Sequence, residues 1–262
     1  MKVNNLFNLE DKVAVVTGGT GYLGMHICEA LSEAGALVYI TGKTKKRCIE
    51  SAKSLERKTG IRVKGIEMNV SSSLSIKNCF KQIVKEVKKI DILVNNAFYS
   101  HGSSLHRISE KDWMSGIDGT INGVFRCTKA IIPIMEKNKF GSIINISSMY
   151  GMVSPDPSIY GSSGHNNPPN YGAGKAAIIQ FTRYTACHLA KKGIRVNSVS
   201  PGPFPKPDVT DMRFISNLKK KTPMGRLGQP HEIKGVIVFL ASQSSSFVTG
   251  TNISVDGGWT AW

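Results

Sequence analysis

The sequence predicts an α/β fold in which a doubly wound parallel β-sheet carries helices on both faces. Two observations support this prediction. Short β-branched runs alternate along the chain with amphipathic segments of helical length, the order in which helices connect parallel strands. No linker composition and no internal repeat divides the 262 residues, a length that can bury one large core. We therefore predict a single domain over residues 1–262.

Each predicted strand is an apolar run bounded by turn residues. The predicted strands cover residues 12–17, 36–42, 61–70, 90–98, 141–147, 195–200 and 249–259. Helical periodicity lies between them, in 25–35, in a segment that ends at Thr59, in 73–89, 111–137 and 171–191, and after Pro230. In the long segment 111–137 we expect Trp113, Phe125 and Ile131 to face the core.

Composition narrows the range of functions. The chain has 34 Lys and Arg against 18 Asp and Glu, a net charge of +16 that would suit nucleic acid. The lysines, however, lie along helix faces, and no basic stripe with interleaved aromatic residues occurs, so we predict no nucleic-acid partner. An acidic small substrate or a phosphorylated cofactor would account for part of the excess charge.

Segment composition bears on location and on metals. No apolar run approaches the ~20 residues that span a bilayer, and the first residues lack the apolar core of a signal peptide. We therefore predict no membrane association and a cytoplasmic location. The five cysteines are odd in number, widely spaced and without a CxxC pair, so we expect free, buried thiols and no metal site.

A glycine-rich turn, GGTGYLG, follows the first predicted strand and leads into a helical pattern. This order is typical of a Rossmann-type dinucleotide-binding unit, because glycines let the backbone approach a pyrophosphate and the helix N-terminus offers unpaired amides. The predicted pyrophosphate-binding residues are Gly18, Thr20, Gly21, Tyr22, Leu23 and Gly24.

The end of the second predicted strand indicates which dinucleotide binds. An acidic residue there would bind the adenosine ribose of NAD, but the sequence has Thr41, Gly42 and Lys43. A hydroxyl followed by a cation fits the 2′-phosphate of NADP. NADP(H) is therefore the predicted cofactor, and NAD(H) is the alternative.

Two more strand ends carry candidate cofactor residues, because ligands bind at the carboxyl ends of the strands in open parallel sheets. Asn69 and Val70 end the third predicted strand and could flank the adenine. Asn95, Asn96 and Ala97 stand at the end of the fourth.

A candidate catalytic centre lies between Ser148 and Lys175. Tyr171 and Lys175 are about one helical turn apart, so they share a face where the ammonium would lower the pKa of the phenol from ~10. Such a tyrosine can exchange a proton with substrate. Ser148 closes the strand IINIS, and its hydroxyl could bond the substrate oxygen.

Two irregular stretches leave the same edge of the sheet, about 149–170 and 203–224, and we predict a substrate loop and a lid. The first is rich in proline, glycine and serine and separates Ser148 from Tyr171. Its hydroxyl, imidazole and amide groups suit a sugar better than a fatty acyl chain. These groups belong to Ser158, Tyr160, Ser162, Ser163, His165, Asn166 and Asn167.

With these motifs placed, the chain resembles a short-chain dehydrogenase/reductase over nearly its whole length. TGGTGYLG, NNA, INISS, YGAGK, IRVNSVSPG and VTGTNISVDGG match the family's sequence blocks in their order. The resemblance implies that Tyr171 is the general acid/base, that Ser148 polarises the carbonyl and that Lys175 serves the tyrosine and the ribose.

The same resemblance implies further cofactor contacts. Asn95 would support the nucleotide, Pro201 and Gly202 would pass near the nicotinamide, and Thr210 would bind its carboxamide. We also expect a homo-oligomer, either a dimer or a homotetramer.

The sequence departs from the family pattern in several places. Thr120 stands where the family has the asparagine of its catalytic tetrad, with Asn122 two positions later, so the proton relay would differ. Phe98 replaces a glycine after NNA. The long loop before Tyr171 resembles a subgroup tied to bacterial surface-sugar synthesis, of the flagellin or nonulosonic-acid type.

The predicted function is therefore hydride transfer between NADP(H) and a carbonyl or secondary alcohol, on a sugar or phosphosugar. A nucleotide-sugar epimerase or dehydratase is one alternative. The glycine spacing favours it, but such enzymes usually carry an extra C-terminal substrate domain, which this sequence lacks. A catalytically weak NADP-binding regulatory protein is the other, favoured by Thr120.

Overall fold

The computed structural model describes residues 2–100, 102–161 and 166–262. Within these ranges, seven parallel strands form one sheet in the order β3-β2-β1-β4-β5-β6-β7. The strands are β1 Val13–Thr17, β2 Leu37–Gly42, β3 Val63–Glu67, β4 Ile92–Asn95, β5 Gly141–Ile146, β6 Ile194–Pro201 and β7 Asn252–Val255. The order reverses beside β1, so β1 and β4 meet at the point where ligands bind in such sheets.

The helices cover both faces of the sheet. They are α1 Val3–Leu6, α2 Tyr22–Glu33, α3 Lys45–Thr59, α4 Ser73–Val87, α5 Glu110–Ile117, α6 Gly123–Asn138, α7 Pro169–Leu189, α8 Met212–Lys221 and α9 Lys234–Ala241. Helices α2, α3 and α9 pack on one face, and α4, α6 and α7 pack on the other. The predicted doubly wound α/β fold is confirmed.

Both faces of the strands are apolar, as a sheet covered on both sides requires. In β1, Ala14 and Val16 join the core beneath α2, while Val13 and Val15 join the core beneath α4. All of β1, β4 and β5 is buried. The two cores determine the register of the central strands, because a slip of one residue would move every strand side chain to the opposite face of the sheet.

A third, smaller cluster lies outside the two sheet cores. Met149, Ile159, Leu218 and Trp259 are buried together, so the stretch after β5, helix α8 and the chain end pack on one another. The predicted lid thus contains a regular helix, and the predicted substrate loop is anchored to it.

The predicted helix over 111–137 is interrupted. It consists of α5, a π-helical turn at Asp118–Asn122 and α6, with Pro133 inside α6. Ile131 is buried as predicted and Trp113 is partly buried, but the prediction for Phe125 is wrong, because its side chain is 46% exposed. The π-helical turn changes the helical phase, so one period cannot describe the whole segment.

The five cysteines are free thiols, and four of them are buried as predicted. Cys187 is exposed instead, because it lies on the outer face of α7. None of the helices in the described part of the chain combines the length and the apolar character needed to cross a membrane.

Candidate active site

The predicted catalytic residues meet at the end of β5. Ser148 follows β5 and is buried, and α7 begins at Pro169, so Tyr171 and Lys175 occupy its first two turns. Ser147 fastens the two elements together, since its hydroxyl donates a 2.7 Å hydrogen bond to the carbonyl of Lys175. Ser147 was not predicted as a site residue, although it adjoins the predicted Ser148.

Tyr171 does not have the lowered pKa that the sequence predicts. Burial raises the pKa of its phenol, and the hydrogen bond with the Ser148 hydroxyl offsets only part of that effect. The phenol is therefore protonated at neutral pH. A protonated phenol beside a serine hydroxyl is placed to give a proton to a substrate oxygen.

Lys175 is buried, with 4% of its surface exposed. Its Nζ donates a 2.8 Å hydrogen bond to the carbonyl of Ile146. Burial lowers the pKa of the ammonium from 10.5 to about 8. The group is still mostly charged at neutral pH, and its Nζ lies 5.6 Å from the centroid of the Tyr171 ring.

Phe98 covers this pair of side chains. Its ring meets that of Tyr171 edge to face, with centroids 5.1 Å apart, and Lys175 Nζ lies 5.6 Å from the Phe98 centroid. Phe98 was noticed in the sequence only as a departure after NNA. Its apolar ring is part of the environment that raises the pKa of the phenol.

Thr120 lies in the π-helical turn beside α7 and is 1% exposed. Its Oγ1 donates to the carbonyl of Gly116 at 2.8 Å, so the hydroxyl proton is used within its own helix. A Cβ on Gly174 would collide with this Oγ1, which shows how closely α7 approaches. Asn122 does not fill the role of the tetrad asparagine either, because its amide donates a 3.2 Å hydrogen bond to Asp118.

The glycine turn between β1 and α2 is closely packed. Gly18 has a φ of 61°, and a Cβ there would lie 2.8 Å from Ala97 Cα. A Cβ on Gly24 would collide with the carbonyl oxygen of Gly18. Gly21 caps α2 without a side-chain hydrogen bond, so the helix N-terminus keeps amides available for phosphate oxygens. Tyr22 and Leu23 form the first turn of α2.

The end of β2 presents two cations near this turn. The Lys43 ammonium lies over the ring of Tyr99, 4.5 Å from its centroid. Arg47, in the first turn of α3, donates to the carbonyl of Thr20 at 3.2 Å. Arg47 was missed in the sequence, although the basic run that includes Lys43 could have indicated it. The Thr41 hydroxyl is buried and donates to the Val16 carbonyl at 3.1 Å, so it does not face the cations.

Asn95 is placed in the core of the sheet. It is 2% exposed, and its amide donates to Asn145 at 2.9 Å and to Thr128 at 3.2 Å. The Asn145 amide in turn donates to Thr182 at 2.9 Å. This buried network ties β4 and β5 to the helices α6 and α7, and Asn95 serves it instead of pointing at the glycine turn.

Asn96, and not Asn95, forms the hydrogen bonds to the glycine turn. Its amide donates to the carbonyls of Thr17 and Gly18, each at 3.0 Å. The Thr17 hydroxyl accepts from the backbone amides of Asn96 and Ala97. Asn96 and Thr17 therefore fix the glycine turn to the end of β4. The sequence indicated Asn96 only by its place at the end of the fourth predicted strand, and it did not indicate Thr17.

The remaining predicted cofactor residues lie at the same edge of the sheet. Val70 is buried and its carbonyl accepts from Arg126, while the Asn69 side chain accepts from Ser71. Pro201 ends β6, and a Cβ on Gly202 would crowd Asp256. Thr210 is exposed in the stretch before α8.

The predicted substrate loop combines exposed polar residues with an apolar residue that packs in the third cluster. Ile159 is buried in the third cluster, and Ser158 is exposed to solvent. Tyr160, Asn166 and Asn167 do line a cleft of about 710 Å³. Ser162, Ser163 and His165 lie outside the described residues.

In the described ranges, no group of three or more His, Cys, Asp or Glu side chains is arranged so that it could hold a metal ion.

Comparison with known proteins identifies the family of this chain. Residues 21–260 match a family model described as enoyl-(acyl carrier protein) reductase. The chain is 36% identical over 253 residues to the 3-oxoacyl-[acyl-carrier-protein] reductase FabG of Aquifex aeolicus, covering 95% of this chain and 98% of that protein. It is also 36% identical over 264 residues to the sorbose reductase SOU1 of Candida albicans, covering 98% and 90%.

Solved structures share the fold over the full length. A gluconate 5-dehydrogenase from Burkholderia cenocepacia, solved in complex with NADP and tartrate, superposes with a TM-score of 0.91 at 29% identity and covers 100% of both chains. A short-chain type dehydrogenase/reductase from Mycobacterium marinum superposes with a TM-score of 0.90 at 30% identity, again over 100% of both. The chain is therefore an enzyme of the short-chain dehydrogenase/reductase family.

Proposed function

We propose that this enzyme interconverts a carbonyl group and a secondary alcohol with NADP(H), and that Tyr171 carries the proton. The observation that supports this most directly is that the Ser148 hydroxyl lies near the Tyr171 phenol, one helical turn from the buried Lys175. This is the arrangement of a proton donor, a second hydroxyl for the same substrate oxygen and a nearby cation.

The three side chains have separable tasks. In the direction of reduction, the Tyr171 phenol gives its proton to the substrate oxygen, and the Ser148 hydroxyl donates a hydrogen bond to the same atom. The Lys175 ammonium stabilises the phenolate that remains. The Ile146 carbonyl holds the ammonium in place for this task.

The chain's residues fit a dinucleotide. The N-terminus of α2 at the glycine turn has no side-chain cap, so its amides can bind a pyrophosphate, and Lys43 and Arg47 offer cations for a 2′-phosphate. When bound, the nicotinamide supplies or accepts the hydride. The solved relative in complex with NADP supports NADP(H), and NAD(H) remains the alternative.

For the substrate, we propose a sugar or phosphosugar. The relatives that support it are the sorbose reductase and the gluconate 5-dehydrogenase. The FabG relatives favour a second candidate, a 3-oxoacyl thioester, and the apolar side chains of the third cluster are compatible with it. The link to bacterial surface-sugar synthesis stays a prediction, as does the cytoplasmic location.

A homo-oligomer is the assembly we propose. Phe125 and Phe181 meet edge to face on the outer sides of α6 and α7, with centroids 6.3 Å apart, and nearly half of the Phe125 surface is exposed. Exposed aromatic rings of this kind suit a surface that is covered by a second copy. Sedimentation velocity of the wild type and of Phe125→Asp tests this, and an unchanged monomer in both would contradict it.

The function is tested with a panel of carbonyl compounds followed by the loss of NADPH absorbance. The panel contains ketoses, phosphoketoses, simple ketones and a 3-oxoacyl thioester. We expect turnover of at least one class in wild type and its loss in Tyr171→Phe. An epimerase would convert a nucleotide sugar with no net change in absorbance, and a regulatory protein would bind NADPH without turnover. Either result would overturn the proposal.

A further inference from the structure

Two tyrosines from the loop between Ser148 and Tyr171 form a pair. Tyr150 lies in a 3-10 turn directly after Ser148, and Tyr160 follows a second 3-10 turn at Pro157–Ile159. The Tyr160 hydroxyl donates to the Tyr150 hydroxyl at 3.3 Å. Both rings are partly buried and both line the cleft of about 710 Å³.

The pair lies beside the proposed proton donor. A Cβ on Gly172 would lie 3.0 Å from the Tyr150 carbonyl oxygen, and a Cβ on Gly151 would lie 2.7 Å from the Lys175 carbonyl carbon. The turn that carries Tyr150 therefore packs directly on the turn of α7 that carries Tyr171. The electrostatic effect of Tyr160 on the pKa of Tyr171, which it helps to raise, reflects the same proximity.

The two phenols are held by rigid neighbours. The ring of Tyr160 stacks on Phe214 of α8, with centroids 5.7 Å apart and an interplanar angle of 22°. The ring of Tyr150 meets Trp259 edge to face at 6.4 Å. The backbone before Tyr160 is fixed as well, because the Ile159 carbonyl accepts from the Asn217 amide at 3.1 Å.

A salt bridge also connects the loop that carries the two tyrosines to α8. Asp156 accepts from the Lys221 ammonium at 2.7 Å, which ties the loop to the last turn of α8. The positions of the phenols thus depend on α8 as much as on the loop. Binding groups that are fixed in advance lose little entropy when a ligand arrives.

The hydrogen-bonding state of the pair indicates what it can recognise. Burial raises the pKa of both phenols, so both are neutral at physiological pH. Tyr160 uses its proton on Tyr150, and in the described part of the chain the Tyr150 O–H has no acceptor. The pair therefore presents one free donor on Tyr150 and acceptor lone pairs on both oxygens.

A substrate hydroxyl matches this pair, since it both donates and accepts. A phosphate or carboxylate oxygen would use only the donor of the pair. An alkyl chain would use neither the donor nor the acceptors, and it would leave the Tyr150 O–H without a partner, which costs binding free energy. We propose that Tyr150 and Tyr160 bind a hydroxyl group of the substrate next to the reacting carbonyl, and so select a polyhydroxylated ketone or aldehyde. This inference rests on the proposed carbonyl reduction.

The test compares ketones that share a carbon skeleton and differ in hydroxyl groups. Erythrulose is compared with 2-butanone, and fructose with 2-hexanone, in wild type, Tyr160→Phe and Tyr150→Phe. We expect wild type to prefer the hydroxylated member by kcat/KM. Each variant should lower that preference by about 10-fold, mainly through KM, because only one hydroxyl is removed. NADPH affinity and the melting temperature show whether a variant remains folded.

Tyr184→Phe is the matched control. Its ring lies on the exposed side of α7, stacked on His188, so the same hydroxyl is removed at a position away from the cleft. An unchanged preference in both Tyr160→Phe and Tyr150→Phe would overturn the inference. So would a wild-type enzyme that reduces a 3-oxoacyl thioester but neither hydroxylated ketone, although the proposed carbonyl reduction would then stand. Absence of NADPH oxidation with every carbonyl compound would overturn both.

Discussion

The Lys175 ammonium donates a 2.8 Å hydrogen bond to the carbonyl oxygen of Ile146, the last residue of β5. The cation is therefore tied to the end of a central strand and not to the phenol of Tyr171. Since Ser148 stands two residues beyond Ile146, one bond fixes the cation relative to the serine hydroxyl as well. The same burial that holds the ammonium lowers its pKa to about 8.

This lowered pKa predicts a pH-dependent stability. Because the folded-state pKa of Lys175 is about 8 and its ordinary value is 10.5, the unfolded chain binds the proton more tightly between these values. The contribution of Lys175 to stability therefore rises as pH rises through about 8. We predict that the free energy of unfolding of the wild type increases, relative to that of Lys175→Met, by up to about 1.4 kcal/mol for each pH unit in this interval.

Thermal unfolding of both proteins between neutral and alkaline pH, without cofactor, measures this difference. The two proteins share every other ionisable group, so the comparison with Lys175→Met isolates the contribution of Lys175. Melting temperatures that run parallel in the two proteins would show that the buried ammonium does not titrate there.

The second prediction concerns the proton donor. Tyr171→Phe keeps the ring that packs against Phe98 and removes only the hydroxyl. We expect kcat to fall by ~10² or more while NADPH affinity stays close to that of wild type. Steady-state kinetics and fluorescence titration measure the two quantities. Normal NADPH binding together with most of the activity would show that another group transfers the proton.

The third prediction concerns the choice of cofactor. Gly42→Asp places a carboxylate beside Lys43 and Arg47, where it would repel a 2′-phosphate and attract a ribose hydroxyl. We expect the ratio of NADPH to NADH affinity to fall, with wild type favouring NADPH. Titration with each dinucleotide measures this.

Gly42→Asn is the control for Gly42→Asp. A Cβ at Gly42 lies 3.3 Å from Cys48 Sγ, so any side chain causes some crowding, and asparagine has the size of aspartate without its charge. An equal effect of both variants would assign the change to crowding. Wild-type protein that binds NADH at least as well as NADPH would contradict the prediction outright.

The fourth prediction separates packing from proton relay at Thr120. The hydroxyl is bonded within its own helix and α7 lies against it at Gly174, so the space admits a threonine but not a longer side chain. We expect Thr120→Val to keep most of the activity, and Thr120→Asn to lower the free energy of unfolding by about 1–3 kcal/mol through overpacking. Denaturant unfolding and kinetics of both variants test this. A large loss of kcat in a stable Thr120→Val would instead place the hydroxyl in the proton pathway.

Local sequence patterns predict both the fold and the order of the proposed catalytic groups along the chain. Strand, glycine turn and helix at residues 13–33 follow from local periodicity and from the glycine at position 18, which readily adopts the φ of 61° found there. The serine at the end of β5 and the Tyr171–Lys175 spacing are equally local. Such patterns act through neighbouring residues, so they can be recognised without knowing what packs against them.

Tertiary structure alone decided which way several side chains face and what they contact. Thr41 faces into the sheet because its hydroxyl reaches the Val16 carbonyl on β1, and Asn95 is held by Asn145 and Thr182 from β5 and α7. The pairing of Tyr150 with Tyr160 depends on α8. The partners of these side chains come from other elements, and no local period specifies them.

The pKa of Tyr171 also depends both on a local sequence pattern and on tertiary contacts. The spacing to Lys175 correctly predicts a neighbouring cation, and from that alone a lowered pKa follows. The fold adds burial beneath Phe98 and gives the ammonium a different acceptor, the Ile146 carbonyl, so the pKa of the phenol is raised instead. Desolvation depends on everything that surrounds a group, and only the folded chain defines those surroundings.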